Sequence, residues 1–180
     1  VRGRRQRQMC IRDRHEAVIV HENPSPFLAK KELSELAHAL TSDFMANPVF
    51  FSGQLHPVNG SLQGKIRFEK QIFHYMLEAG DIGNVATFCQ CLPSFLTAKP
   101  ERVHASSFSD AVRESLSDPE TSLTIKMYMR CNLNASLTAK RLFIHRNSLQ
   151  YRIDKFIERT AIDIRQFEEA AAVYLMMHLF

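Results

Sequence analysis

Between His145 and Lys155 the chain gathers His, Arg, Asn, Ser, Gln, Tyr, Arg and Lys into one short polar stretch. Wound as a helix, Arg146, Ser148, Gln150, Tyr151, Asp154 and Lys155 point away from the apolar positions Leu149, Ile153, Phe156 and Ile157. Arg, Gln, Ser and Asn supply the donor and acceptor sets that read base edges in a major groove. Bond-making chemistry has no comparable grouping. The eight histidines are scattered, and none stands at a zinc-binding spacing. Cys89 and Cys91 are too close together to form a metal site unaided, and with Cys10 and Cys131 they read as reduced cytoplasmic thiols. Asp110 and Glu114 share a helix face that is expected to be solvated. No nucleophile elbow and no phosphate-binding loop is present. We therefore expect no enzyme activity, no metal and no cofactor.

The elements that must position the polar stretch are two short helices and a tight turn. Asn134 is suited to cap the first, its side-chain oxygen accepting from free N–H groups of the opening turn. Ala139, Leu142 and Phe143 are expected on one face, with Ile144 as a buried plug in the turn. His145, Asn147 or Ser148 can open the second helix. Small Ala139 followed by Ile144, Leu149 and Ile153 gives the helix-turn-helix spacing, in which a small residue lets the second helix cross closely. Arg146 and Gln150 are the candidates for base contact, and Ser148 and Tyr151 can reach base or phosphate. Arg152 and Lys155 are placed for phosphate, as is Lys140 beside Arg141. His145 is expected as a cap or backbone contact. The alternative is a protein-interaction module whose basic helix pair docks an acidic partner.

The same stretch resembles the C-terminal helix-turn-helix of PucR-type transcription regulators, a group that includes purine-catabolism and sugar-diacid regulators. The resemblance is carried by Leu133-Asn134, Thr138-Ala139, Leu142, Ile144-His145-Arg146-Asn147-Ser148-Leu149 and Tyr151-Arg152-Ile153, with IHRNSLQYRI the most diagnostic run. The family usually has Thr where Ser148 stands and a basic residue where Gln150 stands, which leaves base preference open at those two positions. A more distant likeness to the DNA-binding end of the factor for inversion stimulation implies that His145, Arg146, Ser148, Gln150 and Tyr151 face DNA. Together the resemblances imply a bacterial, cytoplasmic regulator that binds double-stranded DNA as a homodimer. Its small-molecule effector, of unknown identity, would act through a missing upstream region.

Charge is divided along the chain. Residues 121–160 hold eight Lys or Arg against two Asp or Glu, whereas residues 15–120 hold eight against thirteen. A basic segment beside an acidic one is the electrostatic footprint of a nucleic-acid-binding module joined to a domain with another task. No run approaches the ~20 apolar residues of a membrane span. Val1 to Arg14 is Arg-rich, looks like translated adaptor sequence, and is read as a non-native basic tail on a fragment.

Upstream of the helix pair the pattern is strand, helix, strand, helix: Ala17 to Val20, Leu28 to Leu40, Val49 to Gln54, and a long helix capped by Ser61 and ended near Gly80. This region weakly resembles the C-terminal half of a degenerate GGDEF-like domain. A further helix over 82–96, broken or kinked at Pro93, is expected as a connector. The fold is thus expected to be mainly α, with a partial α/β GGDEF-like remnant and helical connector over 15–98. A linker with a short helix follows over 99–118, and an all-α helix-turn-helix domain over 119–180.

Overall fold

A computed structural model describes the backbone of residues 8–12, 17–21, 30–80 and 82–179, and side-chain surroundings over 32–80 and 82–179. Two short antiparallel strands come first, β1 (Gln8–Arg12) and β2 (Ala17–His21), with Cys10 opposite Ile19. The expected strand at Ala17 is therefore present. It pairs with residues of the basic tail that had been set aside, and it lies in a sheet separate from the next strands.

Helix α1 (Lys30–Phe44) leads to β3 (Phe50–Ser52), and helix α2 (Leu62–Ala79) crosses over to β4 (Val85–Thr87). β3 and β4 are parallel, Phe51 opposite Ala86. The sequence pattern missed β4, which is only three residues long and sits in an apolar run that also suits a helix. Helix α3 (Phe88–Ala98) starts at once after it, capped reciprocally by Thr87 and Gln90. Of the two expected outcomes at Pro93, a break is excluded, since α3 runs through it. It stands one turn and a half from the start, so only the bond that its missing N–H would make to the Cys89 carbonyl is lost.

Gly53 permits a close approach just after β3. A side-chain carbon there would fall 2.1 Å from the Glu69 carboxylate. With that space open, Glu69 accepts from the Gln54 backbone N–H at 2.8 Å and meets His56 Nε2 at 2.9 Å. Gln54 Oε1 in turn accepts from the Ser109 N–H at 3.0 Å, and Ser109 donates to the Leu55 carbonyl. Buried Lys65 of α2 pairs with Asp110 at 2.7 Å. The Lys65 ammonium, helped by Asn59 and Arg113, holds the Asp110 carboxyl below its ordinary range.

The stretch expected as linker forms two 3-10 turns, Pro100–Arg102 and Ala105–Ser107. Phe108, just after the second turn, is fully buried and meets Phe68 and Phe88 edge-on. Helix α4 (Asp110–Ser117) buries Val112 and Leu116, and α5 (Pro119–Arg130) opens with Asp118 accepting from the Thr121 N–H at 2.8 Å. Helices α6 (Ala135–Leu142), α7 (Arg146–Thr160) and α8 (Phe167–Met176) complete the chain. One contiguous apolar core runs from Phe68, Ile72 and Met76 of α2 through α3 and Phe108 to Ile125, Leu149, Ile153 and Val173.

Helix α8 packs on α3, with Glu169 accepting from Thr87 Oγ1 at 3.1 Å and Glu168 accepting from Gln90 Nε2 across that seam. Burial raises the Glu169 carboxyl above the usual value of 4.5, and the charges of Asp163 and Glu168 add to the rise. Burial also pushes the Cys89 thiol beside it well up. A folded-state pKa above the unfolded one means that the folded chain holds the proton more tightly. Stability from this group is then present below the unfolded value and lost as pH rises through the folded one. Glu169→Gln is expected to raise the Tm at about pH 8 by a few degrees, with the gain vanishing near pH 4; thermal melts of both chains across that range check it. Ile153 lies at the centre of the shared core, and Ile153→Ala is expected to cost about 2–5 kcal/mol in urea denaturation.

Candidate nucleic-acid interface

Helix α6 starts where the sequence indicates. Asn134 Oδ1 accepts from the Leu137 N–H at 3.0 Å, and Thr138 Oγ1 donates back to the Asn134 carbonyl at 2.7 Å. Ala139 is buried where α7 crosses, and Leu149 and Ile153 are buried against it. Leu142 and Ile144 are partly buried on the same core. Phe143 departs from its expected place on that face: it adopts a left-handed backbone with φ 55° and is 96% exposed.

The second helix begins after His145, whose Nδ1 accepts from the Asn147 N–H at 3.2 Å. Of the three candidate starts, His145 is thus the cap. Arg146, Asn147 and Ser148 form the first turn and are all exposed. Tyr151 is 67% exposed one turn on, and Lys155 is exposed a turn beyond that. Asn147, Tyr151 and Lys155 follow the i, i+4, i+8 spacing of one helix face. Lys140 and Arg141 are exposed at the end of α6.

Two candidates are engaged within the protein. Gln150 is half-buried and donates to Asp154 Oδ1 at 2.9 Å. Asp154 continues to Arg165 at 3.5 Å, and Arg165 is anchored on Asp163 at 2.7 Å, a bond that holds the guanidinium's proton still more tightly than usual. Arg152 turns back to α5, where its guanidinium lies 2.6 Å from Glu120 Oε1 and 3.3 Å from Thr124 Oγ1. Sequence periodicity placed it for phosphate because it cannot show which carboxylate of another helix lies within reach. His145, Arg146, Asn147, Ser148, Tyr151 and Lys155 are thus all exposed, as is Lys140, and Asn147, Tyr151 and Lys155 share one face of α7. Arg152 is held to the flank and Gln150 to the rim.

Electrostatics favour an anion at this end. The N-terminus of a helix carries a partial positive charge, and α7 presents that end together with Arg146. No acidic residue occurs between Glu120 and Asp154. Near the far end of α7, Lys155 and Arg159 help to lower the Asp118 carboxyl, after the larger effect of its hydrogen bond to Thr121. Among the described residues no group of three or more His, Cys, Asp or Glu could hold a metal ion. No helix among them is long and apolar enough to cross a membrane.

The Arg152 arrangement has a measurable consequence. Breaking the contact with Glu120→Gln is expected to cost well under 1 kcal/mol, because the carboxylate is largely exposed. Arg152→Ala, which also removes the bond to buried Thr124 and the packing of the side-chain stem, is expected to cost more, about 1–2 kcal/mol. Equal losses in urea denaturation would show that the ion pair is all that Arg152 supplies.

Comparison with known proteins agrees with the geometry. Residues 121–179 match the PucR C-terminal helix-turn-helix domain. The uncharacterized protein YxkF of Bacillus subtilis (strain 168) is 35% identical over 161 residues, 88% of this chain and 54% of that protein. The carbohydrate diacid regulator of Escherichia coli (strain K12) is 36% identical over 56 residues, 31% of this chain and 14% of the regulator. The proline-responsive transcriptional activator PutR of Bacillus subtilis (strain 168) is 34% identical over 67 residues, 37% of this chain and 16% of the activator. The chain spans about half the length of the relatives that it matches over most of its own length. No solved structure matches it significantly. Helices α5 to α8 of this chain are a PucR C-terminal helix-turn-helix domain.

Proposed function

We propose that this chain is part of a bacterial, cytoplasmic transcription regulator that binds double-stranded DNA by laying α7 in the major groove. The observation that carries the reading is the open first turn of α7. Arg146, Asn147 and Ser148 are all exposed there, while Leu149 and Ile153 of the same helix are fully seated in the core. A rod fixed on one side and polar on the other is what groove reading requires. Two relatives, matched over 31% and 37% of this chain, are a carbohydrate diacid regulator and a proline-responsive transcriptional activator, which supports the same reading.

Within this reading Arg146 is the principal base contact, bidentate contact by Arg to guanine being the commonest specific one. Ser148 and Tyr151 reach base or phosphate, and Asn147 and His145 hold the entry of the helix. Gln150 reaches bases through its second amide N–H and its Oε1, or by releasing Asp154. Lys155 and Lys140 neutralise phosphates. Arg152 orients α7 from the side. Binding is by a homodimer, since paired half-sites multiply the few base pairs that one helix reads. A small-molecule effector acts through sequence upstream of this chain. The β3–α2–β4 crossover is what supports reading the N-terminal part as a GGDEF-like remnant.

Fluorescence anisotropy with short promoter-derived and random-sequence duplexes at two salt concentrations tests the proposal. Affinity is expected to fall steeply with salt, because each phosphate neutralised by Lys or Arg releases counterions. Arg146→Ala is expected to lose about 1–3 kcal/mol on preferred sequences and to relax selectivity. Lys155→Ala should weaken all sequences alike and reduce the salt slope by about one. Absence of binding at low salt would instead favour a surface that docks an acidic protein.

A further inference from the structure

The turn between α6 and α7 holds a phenylalanine that the fold does not use. The Phe143 N–H bonds to the Lys140 carbonyl at 3.3 Å, and the Ile144 N–H reaches back to Ala139 at 3.0 Å. This pair of bonds is the Schellman ending of a helix, and it places Phe143 in the left-handed region, φ 55°. Glycine or asparagine is suited to that position, whereas a large side chain is disfavoured there. Ile144, the next residue, turns inward and packs on the core. Phe143 is thrown outward to 96% exposure, the most exposed large apolar side chain among the described residues. Backbone preference and burial both argue against Phe at this position, so the folded chain alone does not account for it.

Its surroundings point to the missing partner. Lys140 and Arg141 precede it and His145 and Arg146 follow it, all four exposed. The absence of Asp and Glu from 121 to 153 removes the mixed charge that a protein partner would ordinarily meet. An aromatic ring set among cations at the entry of a groove-reading helix suits a polyanion that also offers apolar sugar and base surface. We propose that Phe143 is a DNA contact, its ring lying against deoxyribose and thymine methyl at the edge of the major groove where α7 enters. This rests on the major-groove reading of α7 and adds to it an uncharged contact from outside the recognition helix.

The test uses the full chain, a fluorescein-labelled short random-sequence duplex, and Phe143→Asn and Phe143→Tyr. Asparagine tolerates the left-handed backbone, so the Tm of Phe143→Asn is expected to equal or exceed that of the parent chain. Its DNA affinity is expected to fall about tenfold, the scale of one aromatic contact with nucleic acid, while Phe143→Tyr stays within about twofold. The dependence of affinity on salt should keep its slope in both, because no counterion release is lost. A Phe143→Asn chain that binds as the parent does overturns the assignment and leaves the major-groove reading intact. A fall in affinity matched by a fall in Tm also overturns it, marking a structural residue. A parent chain that does not bind the duplex at low salt removes both readings together.

Discussion

The interface depends on a close helix crossing made possible by a small side chain. Ala139 presents one methyl group to the core that α6 shares with α7, and Leu149 and Ile153 of α7 are buried in that same core. A larger group at 139 would push α7 outward and unseat both. The Schellman ending of α6 sets the angle of entry, because the Ile144 N–H is tied to the Ala139 carbonyl itself. The residue that must be small and the residue that fixes the turn are thus the same one. With α7 pinned along Leu149, Ile153, Phe156 and Thr160, its opposite face has no choice but solvent.

The helical domain is not hung on a tether. Phe108 packs against both Phe68 of α2 and Phe88 of α3, which also meet each other, and it continues the core into α4. Around it, Glu69, Gln54, His56 and Ser109 form a polar bridge from the loop after β3 to the start of α4, and Lys65 with Asp110 closes the same junction. Buried polar groups are tolerated when they are paired, and here the pairing joins the α/β unit to the helix that packs on α7. Helix α8 joins the two parts a second time, through Glu169 on the Thr87 cap of α3.

Much of the recognition unit was legible because its signals are local. The cap at Asn134, the cap-and-proline start at Asp118-Pro119, the apolar repeat at Leu149, Ile153 and Phe156, and the glycine end at Gly80 depend on residues within a few positions of one another. Where the pattern failed, a distant partner or a short element decided the outcome. Three-residue β4 has no period to detect and exists only because β3 lies beside it. Pro93 reads as a breaker in isolation, yet its place near the start of α3 limits the loss to one bond. Phe143 fits the apolar stripe by spacing, but the helix ends one residue earlier and the backbone reverses hand.

Composition and spacing alone determined that residues 134–160 form a helix-turn-helix with a basic, carboxylate-poor outer side, because helical period and capping are properties of neighbouring residues. The tertiary structure decided which polar side chains remain available. Arg152 looks as free as Arg146 and Tyr151 in the sequence, and only the placement of Glu120 and Thr124 around it shows that it is already engaged. For Arg152 the reason is that pairing depends on distance in space, and residues 120 and 152 come within reach only after α5 and α7 have packed.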